Sequence, residues 1–472
     1  MNNDKKNTFT WLTLSIAIPS LVGFVVNYTH NLVDAYWVAK LGPGAPTAVI
    51  IAGAIFSILM AVNEIIGIST VPLFTQAFGA KDNERTGYLI FQGILLKAIL
   101  SVIFGFVFLF IVNNLLFLYT DKQLIIKMVQ DYGNIFFLSL VIIMPYATMQ
   151  TALRSIGEAN KTMIIAILIT IFNLLLDPIL IFGKGAAAKI TWDYLKISGV
   201  PLLGTGSADF PLFGSVPSLG IKGAALATVI TQFMGILFSL YFLIGNRPGI
   251  RIFKKRFFKF DKEVIIKMLT IGIPGGAIAF IFNFENNFVT SLAANYGLSV
   301  SDGFGIASRI KGIMFMGTFG LSLGAAISVG QFIGAGRIDE IRRDMKKLIL
   351  VSLGLLSIIN IPIFIFSPFI ISLFTDIPET IKSGSVFLRF FSIIPYLIAT
   401  SLLFESVFMG AGKNFPRLIA TSSVLILLEF PLMYTMQKVL GFPWYNIGII
   451  QCGVGVVYII VDYFMFRSKL WE

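Results

Sequence analysis

Three acidic side chains stand inside long apolar stretches of this chain. Asp34 lies in NYTHNLVDAYWVAKLGP, with His30 four residues before it and Asn27 three before that, so all three share one face of a helix. Asp177 lies in IFNLLLDPILIFG; Asn173 stands one turn earlier on the same face, and Pro178 removes an N–H from the ladder just beyond it. Glu285 lies in FIFNFENNFVT among Asn283, Asn286 and Asn287, which suggests a wet face. A charge at the centre of a bilayer costs about 2.5–3.5 kcal/mol or more, so such groups turn to an interior cavity and are expected to be functional. Oxygen atoms of this kind serve H+ and Na+ equally, and the coupling chemistry open to them is proton or hard-cation binding. Glu429, before Pro431, and Glu405 form a second rank. Glu64, Lys97 and Arg389 are expected to be structural or to snorkel.

The composition says what must carry these residues. Of 472 residues 56% are hydrophobic and only 13% charged, with 46 Phe. A soluble domain has about 25% charged residues. Mean hydropathy is +0.87. One cysteine, Cys452, excludes internal disulfides and zinc clusters, and one histidine makes histidine-based metal or triad chemistry improbable. The net charge of +12 comes from bases clustered between apolar segments. That pattern belongs to loops on the inner side of a membrane, not to a nucleic-acid groove. The chain is read as an all-α integral membrane protein.

Spans of about 20 apolar residues recur twelve times. The first six are read near 11–38, 48–78, 87–112, 128–152, 162–183 and 219–245, the second six near 264–297, 303–333, 346–367, 382–409, 416–438 and 443–466. The first is too long for a cleaved leader. About 22 bases fall on one side and about eight on the other, which predicts that both termini are cytoplasmic. The stretch 246–262, NRPGIRIFKKRFFKFDK, reads as a basic cytoplasmic linker between an N-lobe at 1–245 and a C-lobe at 263–472. Residues 184–218, rich in Gly and Pro, are expected to form a partly ordered external hairpin or a short amphipathic piece.

The second half repeats the first. Pro19 precedes Gly42 by 23 residues and Gln76 by 57; Pro274 precedes Gly297 and Gln331 by the same 23 and 57. MPY at 144–146 echoes IPY at 394–396, and NLLLDPIL echoes LILLEFPL. An even number of helices per copy gives two pseudo-symmetric six-helix lobes in one orientation, with a cleft between them that suits a transporter.

At NLVDAYWVAKLGP, TQAFGAKD, RSIGEANKT, NLLLDPILIFG and KGAALATVITQ the chain resembles the multidrug and toxic compound extrusion (MATE) family, over nearly its whole length apart from 185–218. Pro19, fifteen residues before Asp34, is most similar to the archaeal and bacterial branch whose first helix bends at that proline, and is the expected hinge. The resemblance implies a plasma-membrane antiporter that expels cationic or amphipathic small molecules in exchange for H+ or Na+. It implies no cofactor, no nucleic acid and a monomer in the lipid bilayer. Asp34, Asn173, Asp177 and Thr228 match the family's N-lobe cation site, a set that suits Na+ as well as a proton, and Tyr132 matches a tyrosine of the same network. Asn27, His30, Gln150 and Glu285 are expected to line the substrate cavity. Glu285 matches a C-lobe acid of another branch, whose tenth-helix acid has no counterpart here: Ile398 stands in its place.

Three other protein classes share part of this pattern. A flippase of lipid-linked saccharides shares the two-lobed plan but should carry Arg or Lys for phosphate, whereas the central charges read here are Asp and Glu. A major-facilitator transporter is opposed by the recurring Gln-x-x-Gly-Ala turn and the Asn-x-x-x-Asp-Pro segment. An intramembrane enzyme would need a nucleophilic, paired-acid or HExxH constellation that this sequence lacks.

Overall fold

Helix boundaries follow from caps as much as from hydropathy. The computed structural model describes residues 8–197, 217–245 and 261–472, with Ile250, Ile252 and Lys259 between. Thr8 accepts the Trp11 N–H to start α1 (Phe9–Ala39), which runs without interruption through Pro19. Gly44, at φ 93°, turns the chain into α2 (Ala45–Gly79). Asp82 caps α3 (Asn83–Asn114), accepting from the Arg85 N–H at 2.9 Å. Then come α4 (Gln123–Ser155), α5 (Ala159–Ile197), α6 (Ile221–Gly245), α7 (Lys262–Ala294), α8 (Leu298–Gly334), α9 (Ile338–Ile365), α10 (Pro378–Ala411), α11 (Asn414–Val439) and α12 (Asn446–Arg467). Among the described residues eleven of these are long and apolar enough to cross a membrane. The 35-residue α2, built from AVIIAGAIFSILMAVNEIIGISTVPLF, completes the twelve.

Three departures have local causes. α5 continues past its apolar part, bending at Gly183 (φ 76°, ψ 173°) into a helical extension to Ile197, where a hairpin or short amphipathic piece was expected. The rest of that loop, and most of the 246–262 linker, lie outside the described residues. α9 begins eight residues before the 346 read from hydropathy, because DEIRRDMKK is helical without being apolar. α11 is wound with i→i+5 turns over Ser422–Glu429 and Thr435–Val439, so Glu429 sits at the end of a widened turn.

Helix pairing displays the pseudo-symmetry. In one lobe α1 packs on α5, α2 on α4 and α4 on α6; in the other α7 packs on α11, α8 on α10 and α10 on α12. Across the seam α1 meets α8 and α2 meets α7. Each lobe has its own apolar core, one around Phe74, Ile90 and Leu153 and another around Phe108, Val129 and Leu140 in the first, and one around Phe387 and Phe391 and another around Phe408 and Leu403 in the second. Membrane helices lack a hydrophobic drive toward each other and associate by close backbone approach. Here Gly317, Gly320 and Gly324 of α8 receive Leu21, Ala17 and Thr13 of α1, and Gly272 and Gly276 of α7 abut Ile65 of α2.

The seam is sealed at the end that carries the termini. There the repeated Gln-x-x-Gly-Ala turns of α2 and α8 cross, with Gly79 against the Gln331 carbonyl and Gly334 against the Gln76 carbonyl; a Cβ at either would overlap backbone. Gln76 Nε2 donates to the Gly410 carbonyl of α10 at 2.9 Å, and Gln331 Nε2 donates to the Ser155 carbonyl of α4 at 2.8 Å. The last carbonyls of a helix have no partner of their own. Each glutamine therefore caps a helix end in the opposite lobe.

Candidate functional site

The N-lobe assembles its acidic site in the half of α1 and α5 farthest from the termini. Asp177 and Asn173, one turn apart on α5, are fully buried, with Asn173 Nδ2 donating to Asp177 Oδ1 at 3.3 Å. Asp34 of α1 reaches the same place, its carboxyl within hydrogen-bonding reach of Asp177. His30 Nε2, one turn nearer the termini on α1, stands 3.5 Å from Asp34 Oδ2. Tyr132 of α4 is buried beside both acids, stacked on Phe136 at 4.8 Å. Gly223 packs on the backbone of Leu180, which sets α6 antiparallel to α5 and puts buried Thr228 within about one turn of Asp177. Thr228 spends its proton on the Ala224 carbonyl at 3.1 Å, leaving its oxygen as an acceptor.

The site holds more acceptors than donors. Asp34 Oδ1, Asp177 Oδ2 and Asn173 Oδ1 are buried without a hydrogen-bond partner. Buried polar atoms are normally satisfied, and each orphan is costly. Three oxygens of this kind around a carboxyl pair are the donor set for one proton or one hard cation. Among the described residues no group of three or more His, Cys, Asp or Glu forms a transition-metal cluster.

The other expected residues are placed differently. Asn27 is exposed on the far half of α1, as are Asn283, Asn286 and Asn287 on α7. Gln150 is buried between α4 and α6, its Nε2 donating to Ser239 Oγ at 2.9 Å, so it serves packing within the lobe. Glu285 accepts from Gln451 Nε2 at 2.9 Å, and Ile398 packs in the C-lobe core. Lys97 donates to the Asn63 carbonyl at 2.9 Å and Arg389 to Ser367 Oγ at 3.1 Å, which makes both structural.

Sequence reasoning missed a base. Lys311 of α8 lies between Glu285 and Glu429, with its Nζ 3.4 Å from Asn286 Oδ1 and 4.7 Å from the Phe391 ring centroid. Both Lys311 and exposed Arg309 stand in the apolar run GIASRIKGIMF, where they could have been read as intramembrane bases. The C-lobe thus places a lysine near its acids, whereas the N-lobe acids have only His30 beside them.

The comparisons agree with this architecture. The MatE family model matches residues 19–179 and 274–435, once in each lobe. The probable multidrug resistance protein YoeA of Bacillus subtilis is 25% identical over 80% of this chain and 76% of its own length. An FAD transporter of Shewanella oneidensis is 20% identical over 89% of this chain and 86% of its own. A solved MATE structure in a straight conformation superposes with a TM-score of 0.83 at 21% identity, over 98% of this chain and 96% of that one. With a family match covering well over half its length and, among the described residues, a two-lobed bundle of twelve long helices, the chain belongs to the MatE family, and is a membrane transporter and not an enzyme.

Proposed function

We propose that this chain is a cation-coupled exporter that expels cationic or amphipathic small molecules in exchange for H+ or Na+. The observation that carries the reading is the trio of orphaned oxygens on Asp34, Asp177 and Asn173. A proton or Na+ taken up there relieves the repulsion between the two acids, with Thr228 and Tyr132 completing the shell. The near half of α1 is clamped on the α8 glycines, whereas its far half carries Asp34. Pro19 lies within the clamped stretch, between Ala17 and Leu21, and leaves the Ser15 carbonyl without a helical donor, so bending there is cheaper than elsewhere in α1. Cation uptake would thus reshape α1 and displace a substrate held near Asn27, His30 and Glu285. The two lobes, residues 1–245 and 263–472 joined by 246–262, would rock about the α1–α8 and α2–α7 seam. In this reading the chain works as a monomer in the plasma membrane, with its termini in the cytoplasm.

The test is efflux of a fluorescent lipophilic cation from proteoliposomes under a pH gradient and a Na+ gradient imposed separately. One gradient should drive transport, and Asp34→Asn or Asp177→Asn should reduce it at least tenfold with the protein still folded. Full transport in both variants sinks the coupling site. A second reading, export of a metabolite bearing phosphate or carboxylate, draws on Lys311 and Arg309 and on the FAD transporter among the relatives. Transport of an anionic nucleotide without any transport of the cation would select it.

A further inference from the structure

The two copies of the repeat keep a constant separation of 255 residues from Pro19/Pro274 to Gly157/Gly412 (274 − 19 and 412 − 157). Positive-φ positions obey it too: Gly42 with Gly297, Lys81 with Gly336, Gly157 with Gly412. Residues within this register therefore have counterparts in the same fold, and a difference between those copies is a difference the fold did not require.

The largest such difference is a buried cluster in the C-lobe near the end that carries the termini. Three helices each contribute a pair at i, i+4: Ser401 and Glu405 from α10, Arg417 and Thr421 from α11, Tyr458 and Asp462 from α12. Arg417 Nη2 donates to Glu405 Oε2 at 2.6 Å, and Tyr458 donates to Glu405 Oε1 at 2.7 Å. Thr421 and Tyr458 hydroxyls are 2.6 Å apart, and Ser401 Oγ donates to Asp462 Oδ2. Arg417 Nη1 also meets Asn414 Oδ1 at 3.3 Å. Glu405 is 1% exposed and Asp462 2%. At the matching N-lobe positions stand Gln150 for Glu405, Thr162 for Arg417 and Tyr146 for Ser401, and the α4–α6 link is the neutral Gln150–Ser239 bond. The N-lobe keeps a half-buried base there, Arg154 near Tyr146, but joining these helices needs no buried carboxylate.

We propose that this cluster is a second, separate proton-binding site, with the proton carried on the Asp462 carboxyl. Among the described residues facing it, the ionisable groups are Glu405 from α10, Arg417 from α11 and Tyr458 on its own helix. One guanidinium faces two carboxyls, and it is already engaged at 2.6 Å by Glu405. A second buried carboxylate without its own cation is neutralised most cheaply by a proton. Na+ is disfavoured, because it would place a second cation beside Arg417. Asp462 lies five residues from the end of α12 and Asp34 five from the far end of α1, so the two acid sites occupy opposite faces of the membrane span. Proton binding here does not depend on the exchange reading; its use in transport does.

The experiment is pH-difference infrared spectroscopy of the full chain in lipid, following protonated-carboxyl C=O bands. The background is Asp34→Asn/Asp177→Asn, which silences the N-lobe site whatever its function. Asp462→Asn should delete one band, and Ser401→Ala, which removes its hydrogen-bond partner, should shift the same band. A purely structural knot would show neither change. If folded Asp462→Asn leaves every protonated-carboxyl band in place, the proposal is overturned. Where that variant fails to fold, Ser401→Ala decides: a shifted band supports the site, and an unshifted spectrum overturns it. Failure of cation-coupled efflux would leave these bands untouched, so the two readings fail separately.

Discussion

Replacing both Gln76 and Gln331 by alanine should release the sealed end of the seam. Each glutamine contributes one cross-lobe hydrogen bond, at 2.9 and 2.8 Å, to a carbonyl in the last turn of a helix. A net hydrogen bond is worth about 0.5–1.5 kcal/mol, and water reaches these helix ends once they part, which favours the lower half of that range. The pair together then supplies about 1–2 kcal/mol, a shift of about 5–30-fold in the ratio of sealed to open forms. Gly334→Val should act more strongly, because its Cβ would overlap the Gln76 carbonyl and the helices must separate before any side chain fits. The assay is pulsed electron–electron double resonance between spin labels at Asn83→Cys and Asp339→Cys, both exposed at this end, in a Cys452→Ser background. The double alanine variant should add a longer distance component, and Gly334→Val should make it dominant. If both retain one short distance while folded, the turns are not what shuts the seam.

Two further outcomes follow from residues elsewhere on α1 and α7. Pro19→Ala restores the missing N–H to the Ser15 carbonyl and straightens the ladder, so proteoliposome efflux should fall about tenfold or more while substrate binding persists; unchanged efflux would remove Pro19 from the mechanism. Asp261 caps α7 through the Glu263 N–H at 2.9 Å and accepts from the Tyr88 hydroxyl at 2.5 Å, and that hydroxyl, ahead of the backbone donors, holds its carboxyl below the usual value of 3.8. Its contribution is therefore full above the ordinary carboxylate range and lost as pH falls through the lowered value. Asp261→Ala should cost about 1 kcal/mol near neutral pH, less where solvent screens it. Thermal melts of the two proteins should converge as pH drops below about 4; a gap that widens instead would reverse the sign assigned here.

Much of this was legible in the sequence because membranes impose a strong pattern. Hydropathy finds apolar spans, and it found twelve; it errs where a helix leaves the hydrocarbon, as at the DEIRRDMKK start of α9 and the extension beyond Gly183. Asp34, Asn173 and Asp177 were legible as stripes on single helices, and their meeting follows from α1 packing on α5. The C-lobe cluster was not, because its pairs come from three helices and Asp462 in VYIIVDYFMF has only the tyrosines Tyr458 and Tyr463 as polar neighbours in sequence. Gln150 misled for the same reason: its partner is Ser239, 89 residues away, and spacing along one helix cannot reveal a bond to another.

The two copies separate what the fold needs from what the function adds. Positions that set backbone distance or direction are alike in both: the prolines of α1 and α7, the crossing glycines Gly79 and Gly334, the capping glutamines and the left-handed turn residues. Each copy closes on the other, so Gln76 reaches α10 while Gln331 reaches α4, and neither contact could be lost without opening one side of the seal. Charged chemistry obeys no such rule. The N-lobe leaves two carboxyls facing each other with no base between them. The C-lobe sets Lys311 near Glu285 and Glu429, and adds the Glu405–Arg417–Asp462 cluster where its twin has an amide, hydroxyls and the base Arg154 but no carboxylate at the matching positions. A pair of lobes that share a frame but differ in where they hold charge has a reason to respond unequally to a cation arriving from one face of the membrane. In the exchange proposed above, that inequality would give a symmetric cleft its direction.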